Sequence, residues 1–317
     1  MKHLRILFTG ASSFTGTWFV RSLAAREHEI VAIFRRDEGG YEGIRARRVA
    51  LACEAAEPRF GITFGDERFL DVLKEGRGFD LLCHHAAEVA DYKSPDFDAV
   101  AALGANTRNL TAVLATLRDS GGPSIVLTGS VFEQCEGAGE EPLRAFGPYG
   151  LSKGLTSAMV AFYAEREGVR FSKFVIPNPF GPYEEPRFTT YLARTWLEGR
   201  TPTVATPAYV RDNIHVSLLA KAYAAFVESV GRGDSTMRMA PSGYVESQGA
   251  FAARLAAGLE PRLGTPCPLE LMDQVDFSEP LTRINTDRLD HASLGWSEEG
   301  AWDELADYYR EALTDGN

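Results

Sequence analysis

The sequence has 317 residues, of which 44% are hydrophobic and 24% charged, as is typical of a globular protein able to bury a sizeable core. The formal net charge of −11 argues against a nucleic-acid partner, because contacts to phosphate backbones need clustered Lys and Arg. No apolar run approaches the roughly 20 residues of a transmembrane helix, so we expect no membrane partner. The first residues lack the apolar stretch of a signal peptide, which favours a cytoplasmic location. The four cysteines and six histidines show no metal-ligand spacing, and we expect no metal site.

Short aliphatic segments alternate with longer helix-compatible stretches in the first half of the chain. The predicted strands are 4–9, 30–34, 79–84, 124–128 and 171–177. The predicted helices are 14–26, 67–75, 96–119 and 149–167. Strands alternating with helices predict an α/β fold, with a Rossmann-type, doubly wound parallel sheet. Apolar runs that are continuous rather than alternating fit strands buried on both faces.

The alternation weakens after Pro177, where segments rich in Pro and Gly separate shorter elements. We therefore predict a dinucleotide-binding domain over 1–176 and a smaller substrate-binding lobe over 177–317. Whether the two interleave is left open. We expect the lobe to pack over the carboxyl edge of the sheet, where ligands of such folds bind.

The segment 9–16, Thr-Gly-Ala-Ser-Ser-Phe-Thr-Gly, follows the first predicted strand and opens the first predicted helix. Gly10 permits a tight turn, and Gly16 lets the helix and strand pack closely. Ser13 stands where glycine usually lets the backbone approach a pyrophosphate, and serine is small enough to serve. The other turn residues assigned to the cofactor are Ser12, Phe14 and Thr15. The alternative is a plain strand-to-helix turn without a ligand.

The second predicted strand ends at Phe34 and is followed by Arg35 and Arg36. An NAD-specific site carries an acidic residue at this spacing to bind the adenosine ribose. Two guanidinium groups instead suit a 2′-phosphate, so the sequence favours NADP(H), with NAD(H) as the alternative. The two arginines are otherwise a pair of solvated surface cations.

Tyr149 and Lys153 are four residues apart at the start of a predicted helix, which places both side chains on one face. A lysine cation one turn away favours the phenolate form of a tyrosine, and the pair can then move a proton. The spacing alone is common by chance. Its position after the predicted strand 124–128, where the carboxyl edge of the sheet meets the cofactor, is what gives it weight.

With these motifs in order, the chain resembles the extended short-chain dehydrogenase/reductase family, whose members include sugar-nucleotide epimerases, dehydratases and 4-keto reductases. The likeness covers nearly the whole length. The matching segments are the turn 10–16, Gly65-Asp66, His-His-Ala-Ala at 84–87, residues 127–132, Tyr149 with Lys153, Asn-Pro-Phe-Gly-Pro at 178–182, residues 210–216 and Leu-Gly-Trp at 294–296.

The resemblance implies a catalytic group of three residues. Tyr149 is the acid–base, and Lys153 favours its phenolate and bonds the nicotinamide ribose. Thr128, three residues before Val131, matches the position that hydrogen-bonds the reacting sugar oxygen. Ser130 is a nearby substitute for it.

The resemblance also implies the binding residues. Asp66 would hold the adenine, and Ala86, Ala87 and Pro177 would line the cofactor. Arg211 matches an arginine that grips the substrate diphosphate. The residues expected to contact the substrate are Thr128, Ser130, Asn178, Arg187 and Arg211.

Three positions depart from the family pattern. Gly129-Ser130 stands where dehydratases carry an acidic pair, which disfavours 4,6-dehydration. Glu133 replaces a common glycine, and Ser217-Leu218 replaces a common acidic pair.

Arg35 and Arg36 favour NADPH-dependent reduction of a keto sugar nucleotide as the reaction. The alternative is an NAD-dependent 4-epimerase, which keeps its cofactor throughout the cycle. A non-catalytic NADP-binding regulator is a remote alternative, since fold alone does not give function. Family members commonly dimerise through the helices near 96–119 and 149–167, so we expect a homodimer.

Overall fold

A computed structural model describes residues 3–233 and 236–314. They fall into two compact units. Unit 1 is drawn from Met1–Glu136, Pro142–Ile176 and Ala220–Ala240, and unit 2 from Gly137–Glu141, Pro177–Leu219 and Pro241–Asn317. Both units are therefore assembled from separate stretches of sequence.

Unit 1 contains a seven-stranded sheet in which every pair of neighbouring strands is parallel. Its strands are β1 (Arg5–Thr9), β2 (Glu29–Phe34), β3 (Glu57–Phe60), β4 (Leu81–His84), β5 (Ser124–Ser130), β7 (Arg170–Ile176) and β11 (Arg238–Met239). The order across the sheet is β11-β7-β5-β4-β1-β2-β3, in which the chain starts centrally and winds out both ways. This is the predicted Rossmann-type, doubly wound sheet, and the prediction is confirmed.

Helices cover both faces of this sheet. They are α1 (Phe14–Ala24), α2 (Gly43–Ala55), α3 (Glu67–Leu73), α4 (Ala99–Asn106), α5 (Leu110–Asp119), α6 (Gly147–Glu167) and α8 (Val216–Arg232). On one face, Leu127 of β5 is buried in one cluster with Val160 of α6. On the other, Phe19 of α1 stacks on Tyr223 of α8 at 4.0 Å, and both rings contact Phe174 of β7. Burial on both faces explains why the strands read as continuous apolar runs.

Two features of unit 1 differ from the sequence expectation. The predicted helix 96–119 is two helices, because Asn109 takes a left-handed conformation and its side-chain amide donates to the Gly65 carbonyl at 2.6 Å. The strand β3 and the helix α2 were not predicted. The β3 sequence, Glu-Pro-Arg-Phe, has one large apolar residue and lies at the sheet edge, so it carries no strand signal.

Unit 2 is built around a small mixed sheet, with β8 and β13 on either side of β10, and β10 continuing to β15 and β6. Its strands are β6 (Ala138–Gly139), β8 (Asn178–Phe180), β9 (Thr203–Val204), β10 (Val210–His215), β12 (Pro241–Ser242), β13 (Tyr244–Ser247), β14 (Glu270–Leu271), β15 (Thr282–Ile284) and β16 (Asp287–Arg288). Its helices are α7 (Phe188–Leu197), α9 (Gln248–Leu263) and α10 (Glu298–Thr314). Trp196, Phe251, Trp302 and Leu305 are buried together where these three helices pack.

Within 3–233 and 236–314, no helix is both long enough and apolar enough to cross a bilayer.

Candidate active site

The turn after β1 has the geometry of a dinucleotide cradle. Gly10 has φ +84°, and a Cβ there would lie 2.8 Å from the Ala86 backbone nitrogen. A Cβ at Gly16 would lie 2.1 Å from the Gly10 carbonyl oxygen. Ser13 caps α1, because its hydroxyl donates to the Gly10 carbonyl at 2.8 Å and accepts the Gly16 N–H at 3.1 Å. The turn thus offers bare backbone and a helix N-terminus, which fit a pyrophosphate.

Two further cofactor candidates of unit 1, Ala86 and Asp66, are held in place by hydrogen bonds to neighbouring segments. The Ala86 N–H donates to Thr9 Oγ1 at 3.1 Å, which ties the segment after β4 to the end of β1. Asp66 caps α3, and its two carboxylate oxygens accept the N–H groups of Phe69 and Thr63 at 2.7 and 2.8 Å. The cap fixes the orientation of this carboxylate. A role toward adenine stays a prediction.

The end of β2 carries less free positive charge than the sequence indicated. Phe34 is buried and stacks on Phe60, with ring centres 4.9 Å apart. The Arg35 guanidinium pairs with the Glu88 carboxylate at 3.1 Å, and that of Arg36 donates to the Gly40 carbonyl at 3.1 Å. One of the two cations proposed for a 2′-phosphate is therefore already paired with an acid.

Lys153 is buried on α6, and its ammonium donates to the Thr128 carbonyl oxygen at 2.6 Å. Burial lowers the pKa of Lys153 to about 8, while the Glu133 carboxylate opposes the shift. Tyr149, one turn earlier, has its ring edge-on to Tyr92 and Phe97, at 5.3 and 5.9 Å between centres. The helix therefore brings both members of the predicted pair to the carboxyl half of β5.

The first turns of α6 lie directly against the turn that follows β5. A Cβ at Gly150 would be 2.1 Å from the Phe132 carbonyl oxygen, and one at Gly154 would be 2.3 Å from the Gln134 side-chain oxygen. The Phe146 N–H also donates to the Phe132 carbonyl at 2.8 Å. Gly150 thus lets the two backbones touch, and Gly154 leaves room for the Gln134 side chain, which together fix the height of the helix relative to β5.

The side chain of Thr128 points to the sheet face opposite α6. Its neighbour Leu127 packs with α6, and successive strand residues alternate between faces. Thr128 is paired with Phe174 across the sheet, and Phe174 lies in the cluster formed by α1 and α8. The Thr128 hydroxyl lies 3.0 Å from Nδ1 of His85. By the same alternation Ser130 lies on this face too, so the two hydroxyls share one side of the strand.

His85 is a buried polar centre that sequence reasoning missed. Its Nε2 lies 3.1 Å from the hydroxyl oxygens of both Ser13 and Thr15, and its Nδ1 bonds Thr128. Burial lowers the pKa of His85 to about 3, so the ring is neutral near pH 7. The adjacent His84 has a different partner, because its Nδ1 lies 3.0 Å from Thr9 Oγ1. A pair of adjacent histidines at a strand end was the only sequence signal.

Glu133, which departs from the family pattern, belongs to a buried ionic cluster. Its Oε1 accepts the Ser130 N–H at 2.8 Å, and its Oε2 lies 2.6 Å from the Lys173 ammonium. Lys173 also donates to the Glu136 carboxylate at 2.7 Å. A Cβ at Gly129 would lie 2.5 Å from Lys173 Cε, so glycine makes room for this lysine. Glu133, which stands where the family commonly has glycine, thus holds the end of β5 through the Ser130 N–H and the Lys173 ammonium.

We expect Glu133→Gln to lower the free energy of unfolding by about 1.5 to 3 kcal/mol, because the buried ammonium of Lys173 loses one of its two acidic partners and keeps Glu136. Chemical denaturation monitored by circular dichroism measures the change. The double variant Glu133→Gln/Lys173→Met removes both charges and should recover part of the loss. If the double variant instead loses as much stability as the two single variants together, the charges of Glu133 and Lys173 are not coupled.

In unit 2, the predicted substrate residues lie on β8, β10 and the start of α7. Pro177 immediately precedes β8, and Asn178 pairs with Asn213 of β10. The Asn178 side-chain nitrogen is buried, and no residue in the described part of the chain accepts its hydrogen bonds. An unsatisfied buried donor is a feature of ligand sites. Arg187 precedes α7, with its guanidinium 4.0 Å from the Glu185 carboxylate.

Arg211 is held by its own chain in this structure. Its guanidinium donates to the carbonyl oxygens of Pro280 and Leu281, both at 3.1 Å, and to the Glu279 carboxylate at 2.8 Å. It also lies 4.6 Å above the Tyr209 ring. An acidic side chain of unit 2 thus contacts the arginine expected to bind a diphosphate.

Ser217, the other departure from the family pattern, lies in a polar contact within unit 2. Its hydroxyl is 2.8 Å from Nδ1 of His215 and accepts the indole N–H of Trp296 at 2.8 Å. The short hydroxyl suits the indole, which has only a donor to offer.

The family model for the NAD dependent epimerase/dehydratase family matches residues 6–239. The chain belongs to this family, and it is an NAD(P)-dependent enzyme of the extended short-chain dehydrogenase/reductase type. A search of curated protein sequences finds no significant match.

Several solved structures share the fold along the full chain. UDP-glucose 4-epimerase of Thermotoga maritima, with UDP-glucose, is 18% identical and covers 98% of this chain and 99% of its own, with a TM-score of 0.73. UDP-glucuronic acid 4-epimerase of Bacillus cereus, with UDP-glucuronic acid and NAD, is 16% identical and covers 97% and 99%, with a TM-score of 0.71. UDP-glucose 4-epimerase of Stenotrophomonas maltophila, with bound NAD, is 18% identical and covers 99% and 100%, also at 0.71. At these identities the likeness concerns the fold.

Proposed function

We propose that this enzyme is an NAD-dependent 4-epimerase of a nucleotide-diphosphate sugar. The observation that carries the proposal is the buried Lys153 one turn after Tyr149, on a helix seated against the end of β5. The similar solved structures, which are UDP-sugar 4-epimerases and include complexes with NAD, add support. The sequence favoured reduction of a keto sugar nucleotide, and the comparisons favour the alternative.

The residues proposed to hold the dinucleotide are Gly10, Ser12, Ser13, Phe14, Thr15, Gly16, Asp66, Ala86, Ala87, Tyr149, Lys153 and Pro177. When bound, NAD supplies a hydride acceptor that later returns the hydride to the sugar. Within the chain, Tyr149 takes the proton from the sugar hydroxyl and gives it back, and Lys153 stabilises the phenolate. Because the pKa of Lys153 is lowered to about 8, the supporting cation is lost as the pH rises above that value. A hydroxyl of β5, from Thr128 or Ser130, orients the sugar oxygen.

NAD is favoured over NADP because Arg35 is paired with Glu88, which reduces the positive charge available for a 2′-phosphate. One observation keeps NADPH-dependent reduction as a second candidate. β2 ends in the buried Phe34 without a carboxylate for the ribose hydroxyls, and Arg36 follows it.

We expect the purified enzyme to interconvert UDP-glucose, UDP-N-acetylglucosamine or UDP-glucuronic acid with its 4-epimer, with no net change in absorbance at 340 nm. Tyr149→Phe removes the proton carrier and should lower kcat by about 100- to 10,000-fold. Tyr163→Phe, the same change on the same helix, is the matched control and should stay within twofold of the wild type. Chromatographic separation of the two epimers measures the rates. Stoichiometric consumption of NADPH with a 4-keto sugar nucleotide would instead establish the reductase.

Arg211 is proposed to bind the substrate diphosphate, and Glu279 then competes with it. Glu279→Gln removes the competing charge, so the Kd of UDP should fall by up to about fivefold, the scale of a half-exposed ion pair. Arg211→Met should raise the Kd. Glu246→Gln, which loses an equivalent pair with Arg254, is the control and should leave the Kd unchanged. Isothermal titration calorimetry measures all three, and an unchanged or weaker Kd in Glu279→Gln would contradict the competition.

A homodimer through α4 and α6 is also proposed. Val100 on α4 and Leu151, Leu155 and Phe162 on α6 are exposed, with Val100 at 80% and Phe162 at 62%. Two adjacent helices with outward apolar side chains are typical of an association surface.

Phe162→Glu should convert the dimer into a monomer, as read by size-exclusion chromatography with light scattering. Val275→Glu places the same charge at a still more exposed apolar residue of unit 2 and should leave the dimer intact. A monomeric wild type, or a Phe162→Glu dimer, would contradict the proposal.

A further inference from the structure

We propose that Glu133 is a positioning residue that keeps the Lys153 side chain in its charged form, and that Lys173 opposes it from the same face of the sheet. The inference rests on the proposed function, because the charge of Lys153 supports the reaction only through the phenolate of Tyr149. Glu133 stands where the family commonly has glycine, so this device belongs to this chain. Three features of unit 1 carry the inference.

The first feature is the need of the Lys153 ammonium for an opposite charge. The side chain is buried, and within the described part of the chain its ammonium donates one hydrogen bond, to the Thr128 carbonyl at 2.6 Å. A carbonyl oxygen is neutral. A buried cation without a nearby anion costs free energy and tends to lose its proton instead.

The second feature is the position of the Glu133 carboxylate next to this ammonium. Lys153 binds the carbonyl of Thr128, and Glu133 Oε1 accepts the N–H of Ser130 at 2.8 Å. A Cβ at Gly129, between Thr128 and Ser130, would lie 2.9 Å from that Oε1. Covalent geometry therefore keeps the ammonium and the carboxylate within about 10 Å of each other. Because both groups are buried, salt screens their attraction only weakly.

The third feature is the charge balance of the cluster that contains Glu133. The Lys173 ammonium binds Glu133 at 2.6 Å and Glu136 at 2.7 Å, and Glu136 also pairs with Arg238. A Cβ at Gly129 would lie 2.5 Å from Lys173 Cε, so this lysine lies over the same strand residue as Glu133. The four side chains sum to zero charge. Loss of Glu133 alone leaves a net positive charge beside α6.

The pKa of Lys153 reflects this balance. Burial lowers it to about 8, the Glu133 carboxylate raises it, and the Lys173 ammonium lowers it further. The carboxylate therefore extends to higher pH the range in which Lys153 is a cation.

The other ionisable groups around α6 do not replace the Glu133 carboxylate. His84 and His85 are neutral near pH 7, because burial lowers their pKa to about 4 and about 3. The helix α4 contains no charged residue. The remaining charged residues of α5, α6 and β7 cluster around the C-terminal end of α6, where Arg118 pairs with Glu167; they are Arg118, Asp119, Glu165, Arg166, Glu167 and Arg170.

The first test follows the Lys153 ammonium by a pH titration in ¹⁵N NMR of protein labelled at the lysine Nζ. The sequence has six lysines, and Lys153→Arg identifies the signal. Glu133→Gln keeps an acceptor for the Ser130 N–H but loses the charge, so the titration midpoint should fall by about one pH unit. Lys173→Met should raise the midpoint, and the double variant should return it toward the wild type. Glu136→Gln also takes a carboxylate from Lys173 and is the matched control, with an unchanged midpoint.

The second test measures kcat for epimerisation against pH in the same variants. The alkaline limb of the profile in Glu133→Gln should move to lower pH by the same amount as the midpoint of Lys153. In Glu136→Gln the limb should stay where it is in the wild type. A purely structural role of Glu133 would lower kcat at every pH and leave the limb in place.

The outcomes separate this inference from the proposed function. An unchanged Lys153 midpoint in Glu133→Gln, or a midpoint that falls while the alkaline limb of kcat stays, overturns the inference and leaves the 4-epimerase in place. If Glu133→Gln does not fold, Lys173→Met decides, and a midpoint equal to that of the wild type overturns the inference. A wild type that turns over no nucleotide sugar overturns the proposed function, and the ordered midpoints then still establish the coupling of the three charges.

Discussion

The contact between the Phe132 carbonyl and the backbone at Gly150 is the constraint on which the rest of the site depends. A Cβ at this position would come within 2.1 Å of the oxygen, so only glycine lets α6 seat at this height. The same carbonyl accepts the Phe146 N–H, which fixes where α6 begins. With the helix at this height, Lys153 reaches the Thr128 carbonyl, and Tyr149 lies one turn earlier on the same helix. The geometry of the proposed acid–base pair is therefore set by backbone packing.

Polar groups buried at the carboxyl edge of the sheet are satisfied by one another, and this determines which of them are free to act. His85 joins the cofactor turn to β5 through Ser13 and Thr128, and its neutral ring can carry only one proton to share. Glu133 and Lys173 compensate each other's charge next to Ser130. A buried pair of this kind contributes little net stability but strongly resists the loss of either partner. These contacts hold the polar side chains at the edge in place, which suits the proposed orientation of a sugar oxygen.

The order of strands and helices in unit 1 could be predicted from sequence, because buried parallel strands are continuous apolar runs and the glycine turn has a fixed spacing. The placement of Tyr149 and Lys153 one turn apart on a helix could be predicted from helical periodicity, and their catalytic role stays a prediction. The role of His85 could not, because it depends on which face of β5 Thr128 takes and on where the Ser13 proton goes. The ion pair between Arg211 and Glu279 joins residues that are 68 positions apart, so no local sequence pattern predicts it. The short edge strand β3 could not be predicted either, because its few apolar residues give no periodic pattern.

The central claim, a 4-epimerase that keeps its NAD, is tested most directly by identifying the nucleotide released when the purified protein is denatured. An epimerase regenerates its cofactor in every cycle, so the account predicts about one NAD or NADH per chain in the released fraction, identified by liquid chromatography and mass spectrometry. NADP or NADPH in that fraction would contradict the claim and favour the reductase. A chain that releases no nucleotide and binds NADPH reversibly would contradict it equally.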